Sequence, residues 1–191
     1  MKAEIISVGT ELLLGDIVDT NAAYIARRLA EIGVDVFHKS VVGDNWDRIK
    51  RAVKEALDNA DVVIMTGGLG PTSDDLTKEA VASLLGLNLV LNEEARARIE
   101  GFFRRIGREM PAANLKQAMV PEGAIVLQND RGTAPGIIVE TGEKAVICMP
   151  GVPREMVAML DNSVLPYLRG KVGEAALIKS RVLRISGLGE S

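Results

Sequence analysis

The sequence is poor in cysteine, histidine and aromatic residues. It has one Cys and one His in 191 residues, and only 3% of the residues are aromatic. A single cysteine, Cys148, excludes an intrachain disulfide and a cysteine-cluster zinc site, and a single histidine, His38, excludes a His-pair metal site. Any metal would therefore bind carboxylates and phosphates, which favours Mg²⁺ or Mn²⁺ over structural zinc.

The sequence also lacks a long apolar run and an excess of basic residues. No stretch approaches the roughly 18 apolar residues of a transmembrane helix, and the first residues form a strand pattern rather than a signal peptide. With 23 Lys and Arg against 26 Asp and Glu, the net charge is −3. A nucleic-acid-binding face would need a basic surface. We therefore expect a cytoplasmic protein with neither nucleic acid nor membrane as partner.

The hydrophobic pattern predicts an α/β fold with a mostly parallel sheet. Hydrophobic residues make up 47% of the chain, enough for the core of one domain. Short β-branched segments alternate with longer stretches of helical periodicity, which is typical of this fold class. The predicted strands cover 3–8, 34–42, 61–66, 124–127, 136–140 and 144–149, and the predicted helices cover 20–32, 45–60, 73–85, 92–107, 114–119 and 153–168.

The C-terminal segment does not fit into this domain. Residues 178–185 are predicted as a strand and residues 187–191 as the start of a helix. These pieces have too little surface to bury by themselves. We therefore expect one domain over 1–168, and over 169–191 a linker with the start of a second, truncated module.

A glycine-rich turn is the strongest candidate for a binding site. Gly67, Gly68 and Gly70 follow the apolar strand 61–66 and precede a helix, at the position where open α/β sheets bind ligands. Glycines allow close backbone approach, and free N–H groups at a helix start suit a phosphate. The alternative is a purely structural turn with a capping box, in which Thr72 is the N-cap and Asp75 stands at N3.

Two aspartates in this turn indicate a metal. Asp74 and Asp75 would repel a bound phosphate unless a divalent cation lay between them. Mg²⁺ commonly binds one or two carboxylates together with phosphate oxygens of the substrate. The motif therefore predicts a metal-dependent phosphate site.

Further acidic residues follow the first two strands. Parallel strands end at one edge of a sheet, so Glu11, Asp16 and Asp44 are expected to meet Asp74 and Asp75 there. For Asp44, helix N-capping is the simpler alternative when that residue is taken alone.

Three later segments offer polar or exposed backbone groups. Asn114, Lys116 and Gln117 are candidates to contact a phosphate or a base, with a solvated helix face as the alternative. The turns 132–136 and 150–153 are rigid, and Pro153 fits the first position of the last helix. The charges of residues 93–108 predict a solvated helix face with Phe102, Phe103 and Ile106 directed inward.

The order of these motifs resembles a known family. The segments SVGTELLLGDIVDTNAAYIA, VVGDN, TGGLGPTSDDLTKEA, NLKQA, GTAPG and MPGVPREM resemble the N-terminal domain of CinA-like competence/damage-inducible proteins. That domain is itself similar to the MoaB/MogA molybdopterin-binding fold. The resemblance covers residues 1–168.

The resemblance implies a three-layer α/β/α sandwich with either of two activities. The CinA family is associated with ADP-ribose pyrophosphatase activity that depends on a divalent metal, while the molybdopterin proteins adenylylate a pterin phosphate. The two aspartates that those proteins use correspond to Asp44 and Asp75. The family also implies a homodimer or larger homo-oligomer. Full-length members continue into a KH-like module and a deamidase domain, so no deamidase activity is expected of this chain.

The leading prediction is hydrolysis of a small nucleotide-sugar substrate, ADP-ribose, to AMP and ribose 5-phosphate. Asp44 and Asp75 are the predicted catalytic residues, and Glu11, Asp16, Asp74 and Asp75 the predicted ligands of Mg²⁺, Mn²⁺ or Co²⁺. The predicted substrate-binding residues are Gly67, Gly68, Gly70, Thr72, Asn114, Lys116, Gln117, Thr133, Ala134, Pro135 and Gly151. The alternatives are adenylyl transfer to bound molybdopterin and a non-catalytic nucleotide-binding module of a larger protein.

Overall fold

A six-stranded sheet forms the centre of the molecule. The computed structural model describes residues 1–172, so the predicted strand 178–185 and helix start 187–191 lie outside the described residues. The strands are β1 (Lys2–Val8), β2 (Asp35–Val42), β3 (Val62–Thr66), β4 (Leu89–Leu91), β5 (Met119–Pro121), β6 (Ile125–Leu127), β7 (Gly136–Thr141) and β8 (Lys144–Met149). The main sheet has the order β2-β1-β3-β8-β7-β6, while β4 and β5 form a separate antiparallel pair.

The four strands β2, β1, β3 and β8 run parallel, and β7 and β6 extend the sheet in antiparallel fashion. The helices are α1 (Thr10–Leu14), α2 (Thr20–Ala30), α3 (Trp46–Asn59), α4 (Thr77–Leu85), α5 (Glu93–Arg105), α6 (Leu115–Ala118), α7 (Pro153–Met159) and α8 (Leu165–Val172). A 3₁₀ turn (Ala112–Asn114) precedes α6, and a π-helical turn (Leu160–Val164) joins α7 to α8. Pro153 opens α7, as its position in the sequence predicts.

Helices cover both faces of the sheet, which confirms the three-layer α/β/α architecture. On one face Ile5, Ile64 and Ile147 of the sheet pack against α2, α7 and α8. On the other face Ile6, Val63 and the neighbouring sheet residues pack against α3 and α4. Every residue of β3 is buried, as its continuous apolar sequence predicts for a strand covered on both sides.

Cys148 is fully buried in β8, and burial raises the pKa of its thiol to about 12.

Three helices begin at side-chain caps. Asp19 accepts a hydrogen bond from the backbone N–H of Ala22 at 2.9 Å and caps α2. Asn45 and Asn92 cap α3 and α5 in the same way. Asp44 is not the cap of α3, so the capping alternative does not account for this residue.

The start of the helix after the glycine-rich turn was predicted wrongly. That helix, α4, begins at Thr77 with Leu76 as its N-cap, and not at residue 73 with Thr72 as the cap. The carboxylate of Asp75 accepts hydrogen bonds from the N–H and hydroxyl of Thr72, which close a separate turn before the helix. One half of the capping box is therefore present, but it shapes the loop instead of starting the helix.

The sequence also gave no indication of α1 or of the β4–β5 pair. The pair joins residues 89–91 to residues 119–121, and Met119 stands in β5 although it was predicted at the end of a helix. Such short strands form because the chain brings distant segments together, which local periodicity does not reveal.

The prediction that Ile106 points inward is wrong, since this residue is 51% exposed.

No helix within residues 1–172 has the length and apolar character needed to span a membrane. The parallel strands β1, β2, β3 and β8 all end at the same edge of the sheet, and the segments that follow them carry most of the predicted site residues. The exceptions lie in the segments 114–117 and 133–135.

Candidate functional site

A cleft of about 590 Å³ lies at the carboxyl edge of the parallel strands. The loops after β1, β2, β3 and β8 surround it, together with Gln117 and the turn before β7. Its lining residues are Val8, Gly9, Glu11, Asp44, Gly67, Gly68, Leu69, Gly70, Thr72, Asp74, Asp75, Gln117, Thr133, Ala134, Pro150, Gly151, Val152 and Glu155. The cleft therefore stands where the topology of an open α/β sheet places a ligand.

The glycines at the end of β3 are required by close backbone approach. Gly67 has φ 103°, and a Cβ there would overlap the carbonyl oxygen of Val8. Gly68 has φ 66°, and a Cβ there would overlap the hydroxyl of Thr77. That hydroxyl donates to the carbonyl of Gly67 at 2.9 Å, and a Cβ on Gly151 would lie 3.3 Å from the Cα of Gly67. No side chain fits between these segments.

The glycine-rich loop presents a row of free backbone donors. Within residues 1–172, the N–H groups of Gly68, Leu69 and Gly70 donate to no protein acceptor. The N–H of Gly67, by contrast, is bonded to the carbonyl of Met149 at 3.0 Å. Successive free N–H groups in a loop form an anion-binding concavity suited to phosphate oxygens.

Three carboxylates of the cleft lie directly on glycine Cα atoms. The carboxylate of Glu11 lies over Gly9 and that of Asp75 over Gly70, so that a Cβ on either glycine would come within 2.5 Å of a carboxylate oxygen. Glu155 lies over Gly132 in the same manner. The glycines therefore determine where these negative charges sit at the rim of the cleft.

Asp44 and Asp75 are held by matching contacts. Oδ2 of Asp44 accepts hydrogen bonds from the N–H of Thr10 at 2.9 Å and from its hydroxyl at 3.0 Å. Oδ2 of Asp75 accepts from the N–H and hydroxyl of Thr72 at 2.9 and 2.5 Å. In both residues Oδ1 accepts no hydrogen bond from any described residue. Each aspartate is thus fixed by one oxygen and keeps the other available for a ligand.

Glu155 is a site residue that the sequence analysis missed. Its side chain is 8% exposed, and its Oε2 accepts from Asn129 Nδ2 at 2.8 Å. Asn129 also donates to the carbonyl of Ala134 at 2.9 Å, so this contact ties α7 to the turn before β7. The available signal was an acidic residue in the first turn of a helix directly after Pro150 and Gly151.

Several predicted site residues lie outside the cleft. Gly15 ends α1 in the left-handed conformation at φ 78°. Asp16, which follows it, is exposed and is not among the residues that line the cleft. The ammonium group of Lys116 donates to the carbonyls of Thr72 and Asp75, so it supports the loop from behind. Asn114 and Pro135 are likewise absent from the lining; Asn114 donates to Gln117 Oε1 at 2.9 Å, and Pro135 lines a neighbouring cavity.

A buried lysine anchors the segment that supports the loop. Lys78 of α4 is 2% exposed, and its Nζ donates to the carbonyls of Lys116, Gln117 and Met119 at 3.2, 2.8 and 2.7 Å. Burial lowers the pKa of Lys78 to about 8. From this anchored segment Gln117 Nε2 reaches the carbonyl of Leu69 at 3.4 Å.

A second buried contact holds the turn after β8. Asn21 of α2 donates to the hydroxyl of Thr66 at 3.2 Å and to the carbonyl of Gly151 at 2.7 Å. The Thr66 hydroxyl in turn donates to the carbonyl of Pro150 at 3.0 Å. These bonds fix Gly151 against the end of β3.

The described residues form no complete set of protein ligands for a metal ion. Among residues 1–172, no three His, Cys, Asp or Glu side chains come together as a metal-binding group. The carboxylates of Glu11, Asp44, Asp74, Asp75 and Glu155 are spread around the cleft, which no described Lys, Arg or His lines. Such a cleft fits an ion that takes one or two carboxylates and completes its coordination with phosphate oxygens.

The sequence and the fold are similar to those of known proteins. A family model described as probable molybdopterin binding domain matches residues 4–170. A protein of Acetivibrio thermocellus described as competence-damage inducible is 56% identical over 191 residues, and a CinA-like protein of Dictyoglomus thermophilum is 52% identical over the same length. Both alignments cover 100% of this chain and 46% of the relative, so the chain spans about half the length of these proteins.

Two solved structures share the fold of this chain. The crystal structure of CinA from Thermoplasma acidophilum, a protein of unknown function, is 40% identical with a TM-score of 0.80, covering 86% of this chain and 96% of that one. The molybdopterin biosynthesis enzyme MoaB from Thermus thermophilus is 22% identical with a TM-score of 0.59, covering 93% and 99%. The second likeness concerns the fold alone, and the two together confirm the predicted MoaB/MogA-like architecture.

Substitution of Gly67 tests the close approach of the strand ends. Gly67→Ala adds a Cβ against the Val8 carbonyl at φ 103°, and we expect it to lower the free energy of unfolding by at least about 3 kcal/mol. Gly86→Ala is the matched control, because Gly86 also has a positive φ, 69°, but nothing lies within 4 Å of its Cβ position. That variant should lose only about 1 kcal/mol in urea denaturation. Equal losses in the two variants would contradict the packing argument.

The buried lysine gives a pH-dependent stability. The pKa of Lys78 is about 8 in the folded protein against its ordinary 10.5, so between these values the folded state binds fewer protons than the unfolded chain. Its contribution to the free energy of unfolding therefore rises with pH across this window, by on the order of 3 kcal/mol at most.

Urea denaturation at pH 7.5 and pH 10 measures this contribution. Lys78→Met removes three hydrogen bonds to backbone carbonyls and should be less stable than the wild type at both pH values, with a larger deficit at pH 10. Lys54→Met, at an exposed position of α3, is the control and should follow the wild type. A deficit of Lys78→Met that stays constant or shrinks with pH would contradict the assignment.

Proposed function

The chain belongs to the CinA-like family, as a probable molybdopterin-binding domain, and from that premise we propose that its cleft binds and hydrolyses a nucleotide-sugar pyrophosphate. The proposed substrate is ADP-ribose, which gives AMP and ribose 5-phosphate. The observation that carries the proposal is the pairing of free backbone donors at Gly68, Leu69 and Gly70 with a rim of carboxylates and no cation.

The charges of the cleft restrict what can bind there. A phosphate bound to the loop N–H groups lies beside Asp74 and Asp75, whose negative charges repel it. A divalent ion shared between the carboxylates and the phosphate oxygens removes this repulsion. A pyrophosphate offers two adjacent phosphate groups to the ion, and it is therefore a better ligand than an uncharged molecule or a lone carboxylate.

The reaction requires few groups from the protein. Water attacks one phosphorus atom, the bond from that phosphorus to the bridging oxygen breaks, and the proton of the water passes to a carboxylate. When bound, a divalent ion supplies positive charge that offsets the charge developing on the bridging oxygen. The loop N–H groups hold the phosphate oxygens, and these donors are preorganised because Gly67 and Gly68 fix the backbone.

Asp75 and Asp44 have different proposed roles in the reaction. Asp75 belongs to the same loop as the N–H donors, so we assign its free Oδ1 to the ion that accompanies the phosphates. Asp44 belongs to the loop after β2, and we assign its free Oδ1 to accept the proton of the attacking water. Thr72 and Thr10 hold the respective Oδ2 atoms, so each carboxylate has one fixed orientation.

Adenylyl transfer to molybdopterin is the second candidate. The match to the probable molybdopterin binding domain over residues 4–170 favours it. The same loop and aspartates would serve, because both reactions take place at a phosphorus atom. In the transfer, a phosphate oxygen of the pterin attacks the α-phosphorus of ATP in place of water, the bond from that phosphorus to the bridging oxygen breaks, and pyrophosphate leaves.

Release of AMP from ADP-ribose tests the leading candidate. We expect turnover with Mg²⁺, Mn²⁺ or Co²⁺ and none with EDTA, and a loss of about 100-fold or more in Asp75→Asn and Asp44→Asn. The control is Asp58→Asn, which removes an exposed carboxylate of α3 outside the cleft and should keep full turnover. Full turnover of both site variants with unchanged metal dependence would refute the assignment.

A parallel reaction separates the two candidates. The chain is incubated with ATP, molybdopterin and Mg²⁺, and adenylylated pterin is measured by mass spectrometry. Formation of that product without hydrolysis of ADP-ribose would replace the leading candidate by the second. Binding of AMP or ADP-ribose without turnover under any of these conditions would identify a nucleotide-binding module instead of an enzyme.

A further inference from the structure

A second cavity, of about 600 Å³, adjoins the cleft and has the opposite charge. It lies between α5 and the segment 128–135, and Thr133 lines both spaces. Its lining residues are Ala95, Arg98, Ile99, Gly101, Phe102, Arg104, Arg105, Gln128, Asn129, Asp130, Gly132, Thr133 and Pro135. Asp130 is the only acidic residue among them, against three arginines.

The arginines of this cavity are weakly paired. Arg98 lies 3.4 Å from Glu94 and 3.7 Å from Asp130, both exposed partners. Within residues 1–172, Arg104 and Arg105 form no salt bridge, and Arg105 lies over the ring of Phe102 at 6.0 Å from the centroid. Two guanidinium groups are thus available to an anion, and one of them is positioned by an aromatic ring.

Helix stabilisation accounts for only part of this arrangement. Arg104 and Arg105 stand in the last turn of α5, where positive charge interacts favourably with the helix dipole by about 0.3–1 kcal/mol. That effect explains neither the position of Arg98, nearly two turns earlier, nor the open space in front of the three side chains. It also does not explain why the cavity joins the cleft at Thr133.

We propose that the arginine cavity binds a phosphate monoester carried by a nucleotide whose pyrophosphate lies in the cleft. Guanidinium groups match the geometry of phosphate oxygens and pair with them through two parallel hydrogen bonds. Because Thr133 lines both spaces, a ligand that lies across this residue would place one end in the carboxylate-lined cleft and the other in the arginine cavity. The preferred substrates are then nucleotide pyrophosphates with a third phosphate group. The location of the pyrophosphate rests on the proposed function, whereas the preference for the monoester does not.

Binding of small nucleotides tests the preference without any catalysis. Calorimetric titrations use AMP, adenosine 2′,5′-bisphosphate and adenosine 3′,5′-bisphosphate, with Mg²⁺ and at low salt, because a phosphate beside the carboxylates of the cleft needs a divalent ion and none of these nucleotides has a pyrophosphate bond to hydrolyse. We expect at least one bisphosphate to bind about 10-fold or more tightly than AMP, because its additional phosphate pairs with the arginines. The advantage should shrink at high salt, since the groups are partly solvated.

Substitutions of the arginines test whether the preference for bisphosphates arises in the arginine cavity. The double variant Arg104→Gln/Arg105→Gln and the single variant Arg104→Gln should lose all or part of the preference and leave AMP binding unchanged. Arg108→Gln removes a charge from an exposed position just beyond α5 and outside the cavity, and should retain the preference. This control separates a local contact from a change in net charge.

Two outcomes would overturn the inference. Equal binding of AMP and both bisphosphates by the wild type would show that no phosphate monoester site exists. A preference that survives in the double variant would place that site elsewhere. Both outcomes are independent of hydrolysis, so a protein that hydrolyses ADP-ribose without this preference refutes the inference alone. A protein with the preference but without turnover refutes only the proposed function.

Discussion

The buried ammonium group of Lys78 holds together the part of the molecule on which the cleft depends. Its three hydrogen bonds join this side chain to the carbonyls of Lys116, Gln117 and Met119, in the segment that runs from α6 into β5. Lys116 and Gln117 of that segment then contact the glycine-rich loop from behind. A charge in the interior is unfavourable by itself, and burial accordingly lowers the pKa of this lysine. The backbone carbonyls offset that penalty, and the loop acquires a fixed support.

The same loop shows why glycine and carboxylate occur together in this site. A phosphate needs backbone N–H groups at close range, and only glycines permit the turns at Gly67 and Gly68. The carboxylates of Asp75 and Glu155 lie on the Cα atoms of Gly70 and Gly132, so the absence of a Cβ also places negative charge at the rim. Donors for an anion and acceptors for a cation therefore stand side by side. This combination supports the proposed ligand, a phosphate accompanied by a divalent ion.

Charge changes sign across a single turn of the chain. On one side of Thr133 the cleft has only carboxylates among its charged side chains, and on the other side arginines of α5 predominate. Asn129 connects the two sides, because it bonds both Glu155 and the carbonyl of Ala134. The turn therefore lies between two surfaces of opposite charge and is hydrogen-bonded to Asn129. A ligand with a metal-bound end and a free anionic end matches this surface better than one with a single charged group.

The sequence by itself determined the fold class and most of the carboxylates of the cleft. Alternating strand and helix patterns predict parallel strands, and parallel strands end at one edge, which is enough to bring Glu11, Asp44, Asp74 and Asp75 together. Only the tertiary structure decided which polar groups face the ligand. Glu155 joins the cleft and Lys116 turns to the back of the loop because of contacts between segments far apart in the chain. Local periodicity carries no information on such contacts, since they depend on how helices and loops pack after the sheet has formed.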